Sequence, residues 1–67
     1  MFVISEANPS GYVAMRTETD NIRDIYDIVL NITDDEKEAL WALELAGDMR
    51  FGGQYIRSRY KLECIRD

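Results

Sequence analysis

The chain is 67 residues long and carries 13 acidic against 8 basic side chains, with one cysteine and no histidine. A chain of this length makes one thinly cored domain, burying only about 60% of the surface its unfolded form exposes. The composition excludes an intramolecular disulfide and histidine catalysis, and leaves a zinc site short of ligands.

The first predicted elements are two β-prone runs, "MFVIS" and "YVAMRT", separated by the turn formers of "ANPSG". They read as a hairpin. The opening residues lack the basic start and apolar stretch of an export signal, which points to a cytoplasmic protein and leaves the glycosylation-like triplet Asn31-Ile32-Thr33 without meaning.

From Asp20, residues Ile22, Ile25, Ile28, Val29 and Ile32 recur at helical spacing, with Tyr26 and Leu30 flanking them. Asp20, Asp24, Asp27 and Asn31 gather on the opposite side. Along a helix the three aspartates would span about 10.5 Å, in steps of roughly 4 to 6 Å, comparable to the phosphate spacing of about 3.4 Å along one DNA strand. β-branched residues form helices poorly on their own, so this helix has to depend on packing against a sheet.

A second helix starts at "TDDE", where Thr33 and Glu36 have the spacing of a capping box, and stops at Gly47. Ala39, Leu40, Ala42, Leu43 and Ala46 make one apolar side. Asp34, Glu38, Trp41, Leu45 and Asp48 fall on another, so Trp41 and Leu45 form an apolar centre with an acidic rim. The acids at 34–38 lack the alternating ligands and turn glycine of a calcium loop. Neither a metal nor any other cofactor is expected.

After a Gly52-Gly53 turn, "YIRSRYKLECI" alternates as a single strand. Ile56, Tyr60, Leu62 and Cys64 face inward in this reading, while Arg57, Arg59, Lys61 and Glu63 make a basic outer face. The glycine pair lacks the sequence setting of a phosphate loop. The order β-β-α-α-β predicts an α+β fold, with a three-stranded antiparallel sheet and two helices packed on one face.

Charge is segregated along the chain. Residues 20–48 hold nine acids against Arg23 and Lys37, for −7, while residues 49–67 hold five basic residues against Glu63 and Asp67, for +3. No serine, threonine or cysteine has a sequence partner that would activate it as a nucleophile, and so short a chain leaves little room for a desolvated pocket. A non-enzymatic interaction protein that binds a basic protein surface is therefore expected.

Its binding residues would be Asp20, Asp24, Asp27, Asp34, Glu38, Trp41 and Leu45, with nucleic-acid mimicry as one way of acting. Small size and low pI resemble the inhibitors that phages and mobile elements direct against host nucleases. Arg57, Arg59 and Lys61 support the alternative of a nucleic-acid-binding module, although the overall charge of −5 opposes a polyanion. Self-association through the opposite charges of the two segments is a third reading.

Overall fold

The computed structural model describes residues 1–7, 13–48 and 53–65. Its elements are β1 (Phe2–Ala7), β2 (Val13–Thr19), α1 (Arg23–Thr33), α2 (Glu36–Asp48), β3 (Gln54–Ile56) and β4 (Tyr60–Cys64). They form an α+β domain with an antiparallel sheet of order β2-β1-β4-β3. The two hairpins thus put the first and last strands side by side at the centre. The proposed turn between β1 and β2, together with Arg50, Phe51 and Gly52, lies outside the described residues.

The sheet has four strands where the sequence predicted three. What reads as one strand over residues 55–65 is a hairpin: the Arg57 N–H donates to the Tyr60 carbonyl at 2.9 Å, closing a two-residue loop of Ser58 and Arg59. Tyr55 pairs with Leu62 and Ile56 with Lys61. Partner numbers across such a loop sum to an odd value, so the inward parity flips from even in β4 to odd in β3. Tyr55 therefore faces the helices, whereas Ile56, expected inward, is 68% exposed.

Register puts Phe2, Ile4, Tyr55, Leu62 and Cys64 on one side of the sheet. Both helices cover that side: Ile4, Tyr60 and Leu62 share one buried cluster with Ile25, Val29 and Ile32 of α1 and Ala39, Ala42 and Ala46 of α2. α1 contacts β1 and α2 contacts β4. No helix among the described residues is long and apolar enough to cross a membrane.

Both helix starts differ from the sequence reading. α1 begins at Arg23 rather than Asp20, and its approach is fixed by Asn21 Oδ1, which accepts from the Arg23 N–H at 3.0 Å. Thr33 ends α1 instead of opening α2, its hydroxyl donating to the Val29 carbonyl at 2.8 Å. Asp34 then adopts the left-handed conformation, φ 54°, and its N–H donates to the Leu30 carbonyl. Asp35 is the cap of α2, its Oδ1 accepting from the N–H groups of Lys37 at 3.0 Å and Glu38 at 3.3 Å. Gly47 lies inside the last turn of α2, which runs on to Asp48.

Candidate functional site

The outer stripe of α2 follows from helical spacing: Glu38, Trp41, Leu45 and Asp48 are separated by three or four residues and line up along one side. They meet very different surroundings. The alanines behind them are fully buried and small, which lets the helix backbone come close to its neighbours, so the outer stripe stands beside the β3–β4 hairpin.

At the first of these positions the hairpin closes over the carboxylate. Glu38 Oε1 accepts from the Tyr60 hydroxyl at 2.7 Å and the Tyr55 hydroxyl at 3.1 Å. Arg57 Nε lies 2.9 Å from the same oxygen, and the Arg57 terminal nitrogen donates to Oε2 at 3.3 Å. The Glu38 side chain is left 13% exposed. The Arg57 guanidinium also lies over the Tyr55 ring, 5.4 Å from its centroid, and the two tyrosine rings meet edge to face at 6.1 Å.

Burial, then the hydrogen bond to Glu38 and its negative charge, push the Tyr60 phenol far above its ordinary pKa. Tyr55 is raised by the same causes in the same order, with Arg57 opposing. Both hydroxyls therefore stay protonated at neutral pH and donate to a charged acceptor. The arrangement suits a clamp joining helix to hairpin, and Tyr60 offers no exchangeable proton for acid–base chemistry near neutrality.

One turn further along, the surface opens. Trp41 is 59% exposed and borders an open cleft of about 310 Å³ together with Glu44, Leu45, Asp48, Tyr55 and Arg57. Leu45 is half-buried at its base, while Glu44 and Asp48 are exposed. On the other side of Arg57 a smaller cleft of about 180 Å³ lies between the start of α2 and the Ser58-Arg59 turn.

The residues singled out in the sequence are thus divided. Trp41 and Leu45 come together as expected, and Glu38 is beside them but held by internal partners. Asp20 precedes α1, 3.7 Å from the N-terminal ammonium. Asp24 accepts from the Thr19 hydroxyl at 2.7 Å, Asp27 is exposed on α1, and Asp34 occupies the joint between the helices. The continuous helical row of three aspartates is therefore two residues, Asp24 and Asp27, with Asp20 off the helix.

The basic outer face is not assembled. Arg57 turns to the helix side and binds Glu38, Arg59 sits in the exposed turn, and Lys61 lies on the opposite sheet face, 3.2 Å from Glu63. Sequence reasoning missed Glu44, although its spacing from Trp41 and Asp48 announced it, and missed Tyr55, whose parity is reversed by the unrecognised turn. No family model matches the chain, and neither a curated protein nor a solved structure matches it.

Proposed function

We propose that the chain is a non-catalytic binding protein that engages a basic surface of another protein through the outer side of α2. Trp41 and Leu45 supply the apolar anchor and Glu44 and Asp48 the acidic rim. The exposure of Trp41 beside a cleft in a domain short of core carries this reading, because a chain this small has a strong incentive to bury its largest apolar side chain. An indole left outside is better explained by a partner than by packing.

The magnitudes are adequate. Covering the exposed part of the indole removes on the order of 100 Å² of apolar surface, or about 2.5 kcal/mol before ordering costs. The acidic character of residues 20–48 accelerates encounter with a cationic partner and makes it salt-dependent. By occupying a basic surface the protein keeps a polyanion off it, which makes inhibition of a nucleic-acid-binding protein its expected biological effect. Asp24 and Asp27 contribute to steering; Glu38 acts by holding the hairpin in place beside the cleft.

Trp41 is the sole tryptophan, so its fluorescence reports directly on the surface. Immobilised wild-type protein should retain a basic protein from extract of the source cell, and binding of that purified protein should shift the Trp41 emission to the blue and weaken as salt rises. Trp41→Ala and the double variant Glu44→Lys/Asp48→Lys should each lose at least about tenfold in affinity. Retention of the same partner by both variants at wild-type strength would rule the reading out.

A further inference from the structure

Strand β2 is an edge of the sheet and, at seven residues, the long one; the other edge, β3, has only three. Among the described residues no strand pairs with the outer side of β2. Short edges resist pairing with other chains, whereas a long edge is a template for it unless it is blunted by charged side chains, proline or a bulge. β2 contains no proline, its two charged residues, Arg16 and Glu18, are of opposite sign, and the irregularity in its ladder lies at its start, opposite Glu6 and Ala7.

The backbone direction of each residue on this edge follows from the ladder. The Ile65 N–H donates to the Met1 carbonyl and the Ala7 N–H to the Arg59 carbonyl, so odd-numbered residues of β1 point their backbone groups at β4. Even-numbered ones point at β2, where Ile4 is opposite Thr17 and Phe2 opposite Thr19. Thr17 and Thr19 are accordingly engaged with β1, and Arg16 and Glu18 aim their N–H and C=O groups outward.

The side chains of these two residues lie on the sheet face away from the helices. Register aligns them in two rows: Glu63, Val3 and Glu18 in one, Lys61, Ser5 and Arg16 in the next. One row is acidic and the other basic. Arg16 and Glu18 are 3.2 Å apart and about half exposed, and Lys61 and Glu63 are also 3.2 Å apart.

We infer that β2 pairs antiparallel with β2 of a second copy about a two-fold axis at Thr17, making one continuous eight-stranded sheet. This register sets Thr17 against its own counterpart as a non-hydrogen-bonded pair. Arg16 and Glu18 of one copy then exchange backbone hydrogen bonds with Glu18 and Arg16 of the other. The two-fold axis runs each acidic row into the basic row of the second copy, so Arg16 and Glu18 each have an opposite charge both along and across the strand. Pairing by one residue more or less would place engaged backbone groups against the edge, or like charges opposite one another. With Thr17 on the axis only residues 15–19 of the two strands lie opposite one another, so the dimer forms at micromolar to millimolar concentration.

Sedimentation equilibrium of the full chain, with circular dichroism to verify folding, tests this through charge exchange. Wild-type protein should show a monomer–dimer equilibrium. Arg16→Glu and Glu18→Arg should each weaken it about 30-fold, since each turns two attractive pairs into repulsive ones. The double variant Arg16→Glu/Glu18→Arg should return to within about threefold of wild type. In parallel, the amides of Arg16 and Glu18 should become protected from hydrogen exchange as concentration rises. A wild-type chain that stays monomeric at millimolar concentration overturns the inference. So does a dimer indifferent to the single reversals, or a double variant as weak as either single one.

Discussion

The two helices cover the same face of the sheet but are attached to it differently. α1 inserts Ile25, Val29 and Ile32, and α2 inserts Ala39, Ala42 and Ala46. A buried branched aliphatic side chain contributes about 1.5–3 kcal/mol, and a single buried methyl nearer 0.8. α2 thus gains far less from burial, and of the large apolar residues it does carry, Leu40 and Trp41 are exposed and Leu43 and Leu45 only half-buried. Its attachment is completed by the Glu38 carboxylate reaching two tyrosines and an arginine of the β3–β4 hairpin. An element held by close approach and a polar clamp can leave its bulky side chains outside the core.

The contrast is broken most directly by truncation. Ile25→Ala should destabilise the fold by about 2–5 kcal/mol, a large share of the roughly 3–10 kcal/mol available to a domain of this length. Urea unfolding followed by circular dichroism should show the midpoint collapsing toward zero denaturant. Trp41→Ala should shift it by no more than about 0.5 kcal/mol. Comparable losses at the two positions would mean that the indole belongs to the core and that the helices are not distinguished as described.

The clamp is sharpened by chemistry at Glu38. Glu38→Ala leaves the buried Tyr60 hydroxyl without its acceptor and Arg57 without its ion pair, for an expected loss of about 2–3 kcal/mol. Tyr60→Phe removes one donor and should cost about 1 kcal/mol. The two also separate at alkaline pH. Both tyrosines are raised in the folded state, so the folded protein holds protons that the unfolded chain releases near pH 10. Their stabilisation is complete below that pH and declines above it, by up to about 1.4 kcal/mol per pH unit for Tyr60. Unfolding free energies of wild type should fall through pH 10 and above, and those of Tyr60→Phe should fall less steeply. Parallel alkaline limbs would show that Tyr60 is not the linked group.

The same contrast explains what could be read from the letters. The apolar recurrence that carries α1 is strong because Ile25, Val29 and Ile32 are large and regularly spaced, so that helix and its inward side were legible. β1 and β2 were legible as β-prone runs on either side of turn formers, and β4 from alternation. β3 was not: it has three residues, and the loop after it, Ser58-Arg59, contains none of the glycine or asparagine that marks tight hairpins. Missing that loop inverted the side of Arg57 and produced a basic face that does not exist. At the start of α2, Thr33 and Asp35 are both good capping residues, and only the chain path decides between them. Of the candidate surface, Trp41 with Leu45 was readable from helical spacing, but whether Glu38 faced a partner or its own hairpin depended on that same hidden turn.

The smallest expected effect lies at the joint between the helices, where Asp34 combines two opposing contributions. Its left-handed backbone, φ 54°, is strained for any residue with a Cβ, by about 1 kcal/mol relative to glycine. Its carboxylate stands next to the N-terminal end of α2, where the helix dipole favours negative charge by about 0.3–1 kcal/mol. Asp34→Gly relieves the first and removes the second, while adding freedom to the unfolded chain; a net gain of no more than about 0.5 kcal/mol is expected. Asp34→Asn keeps a residue that tolerates this backbone and removes only the charge, so it should lose about 0.3 kcal/mol. Thermal melts at low and high salt distinguish the two, because the Asn variant's deficit shrinks with screening and the Gly variant's backbone gain does not. A deficit in Asp34→Asn that persists undiminished at high salt would place the role of Asp34 in its side-chain geometry and remove the dipole from the account of how α2 is held.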